Sequence, residues 1–358
     1  MRRSSWEEAD LAPRRLSHTS SRLLESGYFT HVHTSSSSPL ENDMATRRRL
    51  PPRAQTTPVQ TLHSLLTAQD PDTTIRTRTP AGPFLLKFDE LPSWQQDNHY
   101  ILANYRPESH SYFRCFQSLF YLHNESVNIH SHLLGAFLFY FTSLSLYAFE
   151  RYHISTTDVL AFSFYFVGAV ACLGMSAAYH MIANHSPEVH RVGSQLDYVG
   201  IVALIFGSVV PSVYYGFHCE PILQKMYWAM ISTIAIGCTI VSMNPKFRTP
   251  LWRPFRAGMF VGFGLSAVFP VLHGVYIYGV EKMQYSMGLY WVILQGFLYI
   301  LGAGLYAARI PERLHPGRFD IWGSSHQIFH ILILLAAMSQ LMGLLTALHH
   351  ARIFSPCR

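Results

Sequence analysis

Gly323-Ser324-Ser325-His326-Gln327-Ile328-Phe329-His330-Ile331-Leu332-Ile333-Leu334-Leu335 reads as the start of a membrane-spanning helix with two histidines at its mouth. The apolar run continues to Leu348, long enough to cross a bilayer core. His326 and His330 are four residues apart. On an α-helix their rings therefore project from one face, one turn apart, where two imidazoles can hold one metal ion. Each ring can equally satisfy a local hydrogen bond near the interface, and that is the commoner role of an isolated H-x-x-x-H pair. Polar side chains inside a membrane are costly, which makes them functional candidates. The metal reading needs a third ligand from elsewhere in the chain.

Working outward, six more apolar runs of spanning length precede this one, near Ser131–Phe149, Asp158–Met181, Leu196–Phe217, Met226–Met243, Phe255–Tyr276 and Met287–Ala308. The last is Ser324–Leu348. The chain has 358 residues and is 49% hydrophobic but only 13% charged, against about 25% charged for a soluble domain. The fold class is therefore an all-α membrane protein, a seven-transmembrane helix bundle over residues 131–349 with a short tail at 350–358. Gly262, Gly264, Gly302 and Gly304 are small enough to let helices approach closely. Pro211 and Pro270 predict kinks, which membrane helices tolerate. The five cysteines, Cys115, Cys172, Cys219, Cys238 and Cys357, form no C-x-x-C pair, so no disulfide framework is expected.

Residues 1–83 are rich in Ser, Thr, Arg and Pro, with runs such as Ser35-Ser36-Ser37-Ser38 and Arg47-Arg48-Arg49. They carry too little apolar surface to offset the entropy of ordering and read as a disordered cytosolic arm. No apolar run follows the basic start, so no cleavable signal peptide is expected. Residues 84–130 mix aromatics with charges and suit an interfacial segment under the bundle. Within it, Ser111 to His132 reads as an amphipathic helix leading into the first span. Asn124-Glu125-Ser126 matches a glycosylation sequon, which matters only on a lumenal side.

Net charge is +6, and its placement bears on sidedness rather than on nucleic acid, for which no motif is visible. Lys246, Arg248, Arg253 and Arg256 follow the fourth span, and Arg309, Arg313 and Arg318 follow the sixth. Arg191 follows the second. The opposite loops carry Arg151, Lys225 and Lys282, one each. The basic loops share a side with the Arg-rich arm, so the positive-inside rule predicts a cytosolic N-terminus and a C-terminus outside.

Alternating span direction then gathers a constellation. His180 ends the second span, Asp197 begins the third, and His326 and His330 begin the seventh, all toward one end of the bundle. Three His ligands with an open fourth position describe a catalytic zinc site. Asp197 can orient a metal-bound water or take its proton, or accept an N–H from a ligand His. Ser176, one turn before His180, can bond a substrate carbonyl or bond back to its own helix. Cys172, a turn deeper, reads as a packed small residue. His273 reads as satisfying a carbonyl freed by Pro270. His130 and His132 sit at the mouth of the first span. His349 and His350 belong to the opposite face.

Phe88-Asp89-Glu90-Leu91-Pro92-Ser93-Trp94, Asp97-Asn98, Tyr105-Arg106-Pro107 and His123-Asn124-Glu125-Ser126-Val127-Asn128 resemble the N-terminal signature of the progestin and adipoQ receptor family, also called haemolysin III-related proteins. Ser176 with His180, Leu196-Asp197-Tyr198-Val199-Gly200-Ile201, Arg309-Ile310-Pro311-Glu312-Arg313, and Phe319-Asp320-Ile321-Trp322 through His330 complete it. The likeness runs from about Phe84 to the last span and is nearest the adiponectin receptor branch. The Ser/Thr/Arg-rich arm suits a fungal member. The resemblance implies a seven-span bundle with a cytosolic N-terminus, and Zn2+ held by His180, His326 and His330 with Asp197 holding the bound water. It also implies ceramidase-like amide hydrolysis, with roles in lipid, sterol and metal homeostasis signalling. Gly323-Ser324-Ser325 departs from the bulkier residues of the animal receptors, a difference that bears on pocket shape.

Two functions are weighed. One is a zinc-dependent hydrolase of a ceramide-like membrane lipid. The other is a ligand-activated receptor with a structural zinc and no turnover. A proton-coupled transporter fits less well, because no pair of broken half-spans stands out. The partners expected are the lipid substrate, an extracellular protein ligand and a second copy in a homo-oligomer, but no nucleic acid. The membrane expected is the plasma membrane or the endoplasmic reticulum.

Overall fold

The computed structural model describes residues 84–150, 154–248 and 252–353. The arm expected over 1–83 and the last residues of the tail lie outside the described residues. Among the described residues, seven helical stretches are long and apolar enough to cross a membrane: Ser126–Glu150, Thr156–Ile182, Pro187–Gly216, Pro221–Met243, Phe255–Ser286, Leu289–Ala308 and Ser325–Ile353. Each overlaps its predicted run, and the protein is a multi-pass integral membrane protein. Among the described residues the only β feature is an isolated bridge between Leu86 and Tyr105.

Local sequence sets the helix starts. A short helix, α1, covers Tyr112–Gln117. The first span, α2, covers Ser126–Glu150. The second, α3, covers Thr156–Ile182 behind a reciprocal cap in which the Ser155 side chain takes the Asp158 N–H and Asp158 takes the Ser155 N–H. The third, α4, covers Pro187–Gly216 behind the Ser186 cap, with Pro187 in the first turn, where its missing N–H costs nothing. The fourth, α5, covers Pro221–Met243.

The fifth span departs from the single helix expected. It is α6, Arg253–Leu265, followed by α7, Val268–Ser286, with the helix broken at Ser266-Ala267. Pro270 has no N–H to return to the Ser266 carbonyl, so the regular ladder lapses there. Gly279 interrupts α7 again at φ 78°. Pro211, by contrast, is accommodated inside α4. The sixth span, α8, covers Leu289–Ala308, and the seventh, α9, covers Ser325–Ile353.

Close approach of helices falls elsewhere than the sequence suggested. Among the described residues nothing stands within 4 Å of where a Cβ on Gly262, Gly264 or Gly304 would lie, and of the four only Gly302 meets a neighbour, at Phe329 and Leu332 of α9. The tight seam is α3 on α4. A Cβ on Gly168 would lie 2.5 Å from the Ala203 carbonyl oxygen, and one on Gly207 would lie 2.4 Å from that of Phe164. Both obstacles are backbone and cannot swing away. Gly207→Val is therefore expected to destabilise the bundle by about 3 kcal/mol, and Gly174→Ala, which meets nothing, by less than about 0.5 kcal/mol. Thermal melting of the two variants in one detergent checks the contrast.

The helix expected over Ser111 to His132 is also broken. After α1 the chain turns at Ser118–Phe120, and Tyr121–Glu125 are not helical. The His123 ring holds this break: its Nε2–H donates to the Ser118 carbonyl (3.2 Å) and its Nδ1 accepts from the Glu125 N–H (3.1 Å). Burial, and then the Arg106 guanidinium, hold the His123 pKa down at about 3, so the ring stays neutral in both roles.

The segment before α1 docks on the α8–α9 connection. Leu102 N–H donates to Asp320 Oδ1 (2.9 Å), Gly317 N–H to the Tyr100 carbonyl (3.0 Å) and Arg309 Nη2 to the Asp97 carbonyl (2.8 Å). At the other end of the bundle, Cys219 in the α4–α5 connection is disulfide-bonded, a single bridge in a chain whose cysteine spacing predicts no disulfide framework.

Candidate metal centre

His180, His326 and His330 meet. Their rings lie 4.9, 4.9 and 4.8 Å apart pairwise between centroids, and one nitrogen from each falls within 4.8 Å of the others. The last turn of α3 delivers His180, and the first two turns of α9 deliver the other two.

Both helix ends are clamped by groups outside the spans. The buried Arg106 guanidinium donates to the carbonyls of His180 (2.6 Å) and Met181 (2.9 Å) and to Ser118 Oγ (2.7 Å). It thereby fills carbonyls that the end of α3 leaves unpaired and places positive charge there. At the start of α9 the fully buried Glu312 carboxylate accepts from the Ser325 N–H (2.7 Å) and the Ser325 hydroxyl. A carboxylate on helix N–H groups opposes the dipole's positive end. Asn98 Nδ2 reaches Glu312 Oε1 (3.2 Å), and Gln327 Nε2 reaches the carbonyls of Ile321 (2.8 Å) and Asn124 (3.3 Å).

The hydrogen bonds of the rings decide which nitrogen each presents. His180 Nδ1 lies 2.8 Å from Glu125 Oε2, and His330 Nδ1 lies 3.2 Å from the Asn128 carbonyl. A carboxylate and a carbonyl only accept, so both Nδ1 atoms carry the proton and both Nε2 atoms keep a lone pair. His180 Nε2 is buried with no partner among the described residues. Ring N–H groups donated to oxygen, with the other nitrogen turned to its fellows, are the usual arrangement of metal-ligating histidines. The donor set suits zinc. Burial works against ionising Glu125, but the His180 ring beside it, then His326 and Asn128, hold its carboxyl below the usual range.

Glu125 and His132 are the residues that sequence reasoning missed. His132 stacks on His330 at 3.7 Å with the planes 8° apart, and its Nε2–H donates to the His330 carbonyl (3.2 Å). Glu125→Gln keeps an acceptor for His180 but loses the charge, and is expected to weaken binding of a metal by the three histidines about tenfold. Glu125→Leu loses both and is expected to weaken it about a hundredfold. Competition against a calibrated chelator reads both.

Asp197 and Ser176 line one cavity with His132, His326 and His330, of about 600 Å³ and mostly apolar wall. Asp197 is an electrostatic neighbour of His180 and of Ser176, whose buried hydroxyl makes no hydrogen bond of normal geometry. Cys172 is buried in the core and also borders the cavity. Arg256, expected among the loop cations, instead lies in α6 on the cavity wall, 5.6 Å over the Tyr198 ring, and donates to the Phe247 carbonyl. His273 pairs with the Tyr227 hydroxyl (2.7 Å) rather than with a freed carbonyl. His349 and His350 lie at the far end of α9.

Residues 120–341 match the profile of haemolysin-III related proteins. The chain is 44% identical over 265 residues to the ADIPOR-like receptor IZH2 of Saccharomyces cerevisiae, covering 74% of this chain and 84% of that protein. It is 43% identical over 270 residues to the adiponectin receptor protein of Drosophila melanogaster, covering 75% of this chain and 61% of that one. It is 41% identical over 273 residues to the progestin and adipoQ receptor-like protein 1 of Caenorhabditis elegans, covering 76% and 63%. The chain thus spans less than two thirds of the length of either animal relative.

Proposed function

The chain belongs to the haemolysin-III related family, as an adiponectin receptor-like seven-span membrane protein, and we propose that it is a zinc-dependent hydrolase of ceramide-like lipid amides. The observation that carries this reading is the donor set. His180 and His330 each hold a protonated Nδ1 on an oxygen and keep Nε2 for a metal, with His326 beside them and an apolar cavity at the site.

His180, His326 and His330 hold the metal. Zinc bound by three histidines supplies a water that ionises near neutral pH and polarises a carbonyl. Asp197 takes the proton of the attacking water and returns it to the amide nitrogen as the C–N bond breaks. Ser176 donates its hydroxyl to the carbonyl oxygen as negative charge develops there. The cavity wall accepts the acyl chain and excludes bulk water from the site. The products are a free fatty acid and an amine.

The metal site faces the cytosol in this reading, on the basic side of the bundle. The disulfide-bonded Cys219 at the opposite end supports that orientation, because disulfides persist on oxidising sides of membranes. A receptor role is a second reading, favoured by one observation. The segment from Asp97 to Glu125 touches both metal-bearing helices, through Arg106 and Glu125 on α3 and Asn98 on the Glu312 cap of α9. A protein docking there reaches the metal centre through these contacts.

The test is release of fatty acid from a short-chain ceramide by the purified chain, before and after chelation and after restoring zinc. Turnover that chelation removes and zinc restores is the expected result. A fully metal-loaded chain with no turnover overturns the hydrolase and leaves the receptor with a structural metal.

A further inference from the structure

The cavity that begins at the metal centre ends at one depth on three helices. Its lining runs along α4 from Asp197 to Val213, along α9 from His326 to Gln340, and along α8 from Tyr306 back to Val292. Beyond these positions no residue of the three helices borders it. The offsets are sixteen, fourteen and fourteen residues. At the helical rise they come to about 24, 21 and 21 Å.

Close contacts seal that depth. Met287, between α7 and α8, is buried and borders the cavity. A Cβ on Gly216 would collide with Met287 Cε, so this side chain packs directly on the α4 backbone, three residues past Val213. A Cβ on Gly288 would collide with the Gly343 Cα, so the start of α8 abuts the α9 backbone, three residues past Gln340. Just inside the seal, Gln340 Nε2 ties α9 to α4 through the Ser208 carbonyl (3.0 Å) and Ser212 Oγ (2.8 Å). Met287 also shares one buried cluster with Val213 and Phe217.

An amide carbonyl held at the metal sends its acyl tail down this length toward Met287. An extended chain advances about 1.25 Å per carbon, from C–C bonds of about 1.5 Å at near-tetrahedral angles. The closed length therefore holds about 17 to 19 carbons. A longer tail meets a packed methionine and two helix backbones, and entry costs the distortion of a filled interior. We propose that the cavity measures the acyl chain, and that Met287 is the stop that sets the limit near the length of a stearoyl group. The proposal rests on the lipid reading of the cavity given above.

The test uses the purified full chain in detergent. Lauric, palmitic, stearic, arachidic and lignoceric acids compete, at equal mole fraction in the micelles, with radiolabelled palmitic acid. Displacement is expected to strengthen from lauric to stearic acid and to be about tenfold weaker for lignoceric acid than for stearic acid. Met287→Ala is expected to move the best competitor from stearic to arachidic acid. Met287→Leu, of similar volume, keeps it at stearic acid. The wild-type series decides the length limit without any variant. Lignoceric acid competing as well as stearic acid means that the tail leaves sideways, past the exposed Ile293 and Phe297 of the cavity wall, and overturns the limit while the lipid reading stands. An unchanged preference in a folded Met287→Ala chain overturns the role of Met287. Binding of none of the acids overturns the lipid reading and this proposal with it.

Discussion

His326→Ala is expected to yield a folded chain without metal, beside a wild type carrying about one zinc per chain. His326 sits in the first turn of α9, with the Tyr306 ring 5.1 Å and the Phe329 ring 6.3 Å away. The start of that helix is held by Glu312 on Ser325, which the substitution leaves in place. Two imidazoles remain. Loss of a residue that only orients a ligand costs about 10–100-fold in affinity, and loss of a ligand itself costs more than about a hundredfold by that standard. Metal analysis of the purified proteins, with His349→Ala at the far end of α9 as the control, reads the effect. A variant that retains its full complement of zinc removes His326 from the site.

Asp197→Asn is expected to separate holding the metal from using it. Asn keeps the size and an acceptor oxygen but cannot take a proton. Asp197 borders the cavity beside the three histidines and is not needed to complete their donor set. Zinc content should therefore match wild type, while hydrolysis falls by about 10²–10⁴-fold, the range assigned to a positioned general base. The loss should appear in kcat and not in KM, because the acyl chain still meets the same wall. Full turnover in the variant removes Asp197 from proton transfer. Loss of zinc instead places it among the groups that hold the metal.

The spans were legible because their apolar runs are long and their breaks polar, and all seven are where hydropathy puts them. The three histidines were legible because span alternation brings His180, His326 and His330 to one end whatever their lateral positions. Glu125 was not. Its stretch reads as a continuing helix or a glycosylation sequon, and only the turn built by the His123 ring carries its carboxylate to His180. His132 reads in the sequence only as a residue at the mouth of the first span, because nothing local says that α2 stands beside α9 closely enough for two rings to stack. The break at Ser266-Ala267 was half visible in Pro270, whose effect falls four residues upstream. The α3–α4 glycine seam was missed because small residues identify close approach only once the facing helix is known.

The clamp on α9 has a bearing on how the chain is made. His180 leaves the ribosome with the second span and then waits through four more before His326 and His330 follow. Asn98 waits longer, through six spans, for Glu312, the residue that closes the first turn of α9. Contacts so distant along the chain form late in folding. The three-histidine site therefore forms only once the seventh span has been made, and a chain stopped before that span lacks two of the three imidazoles.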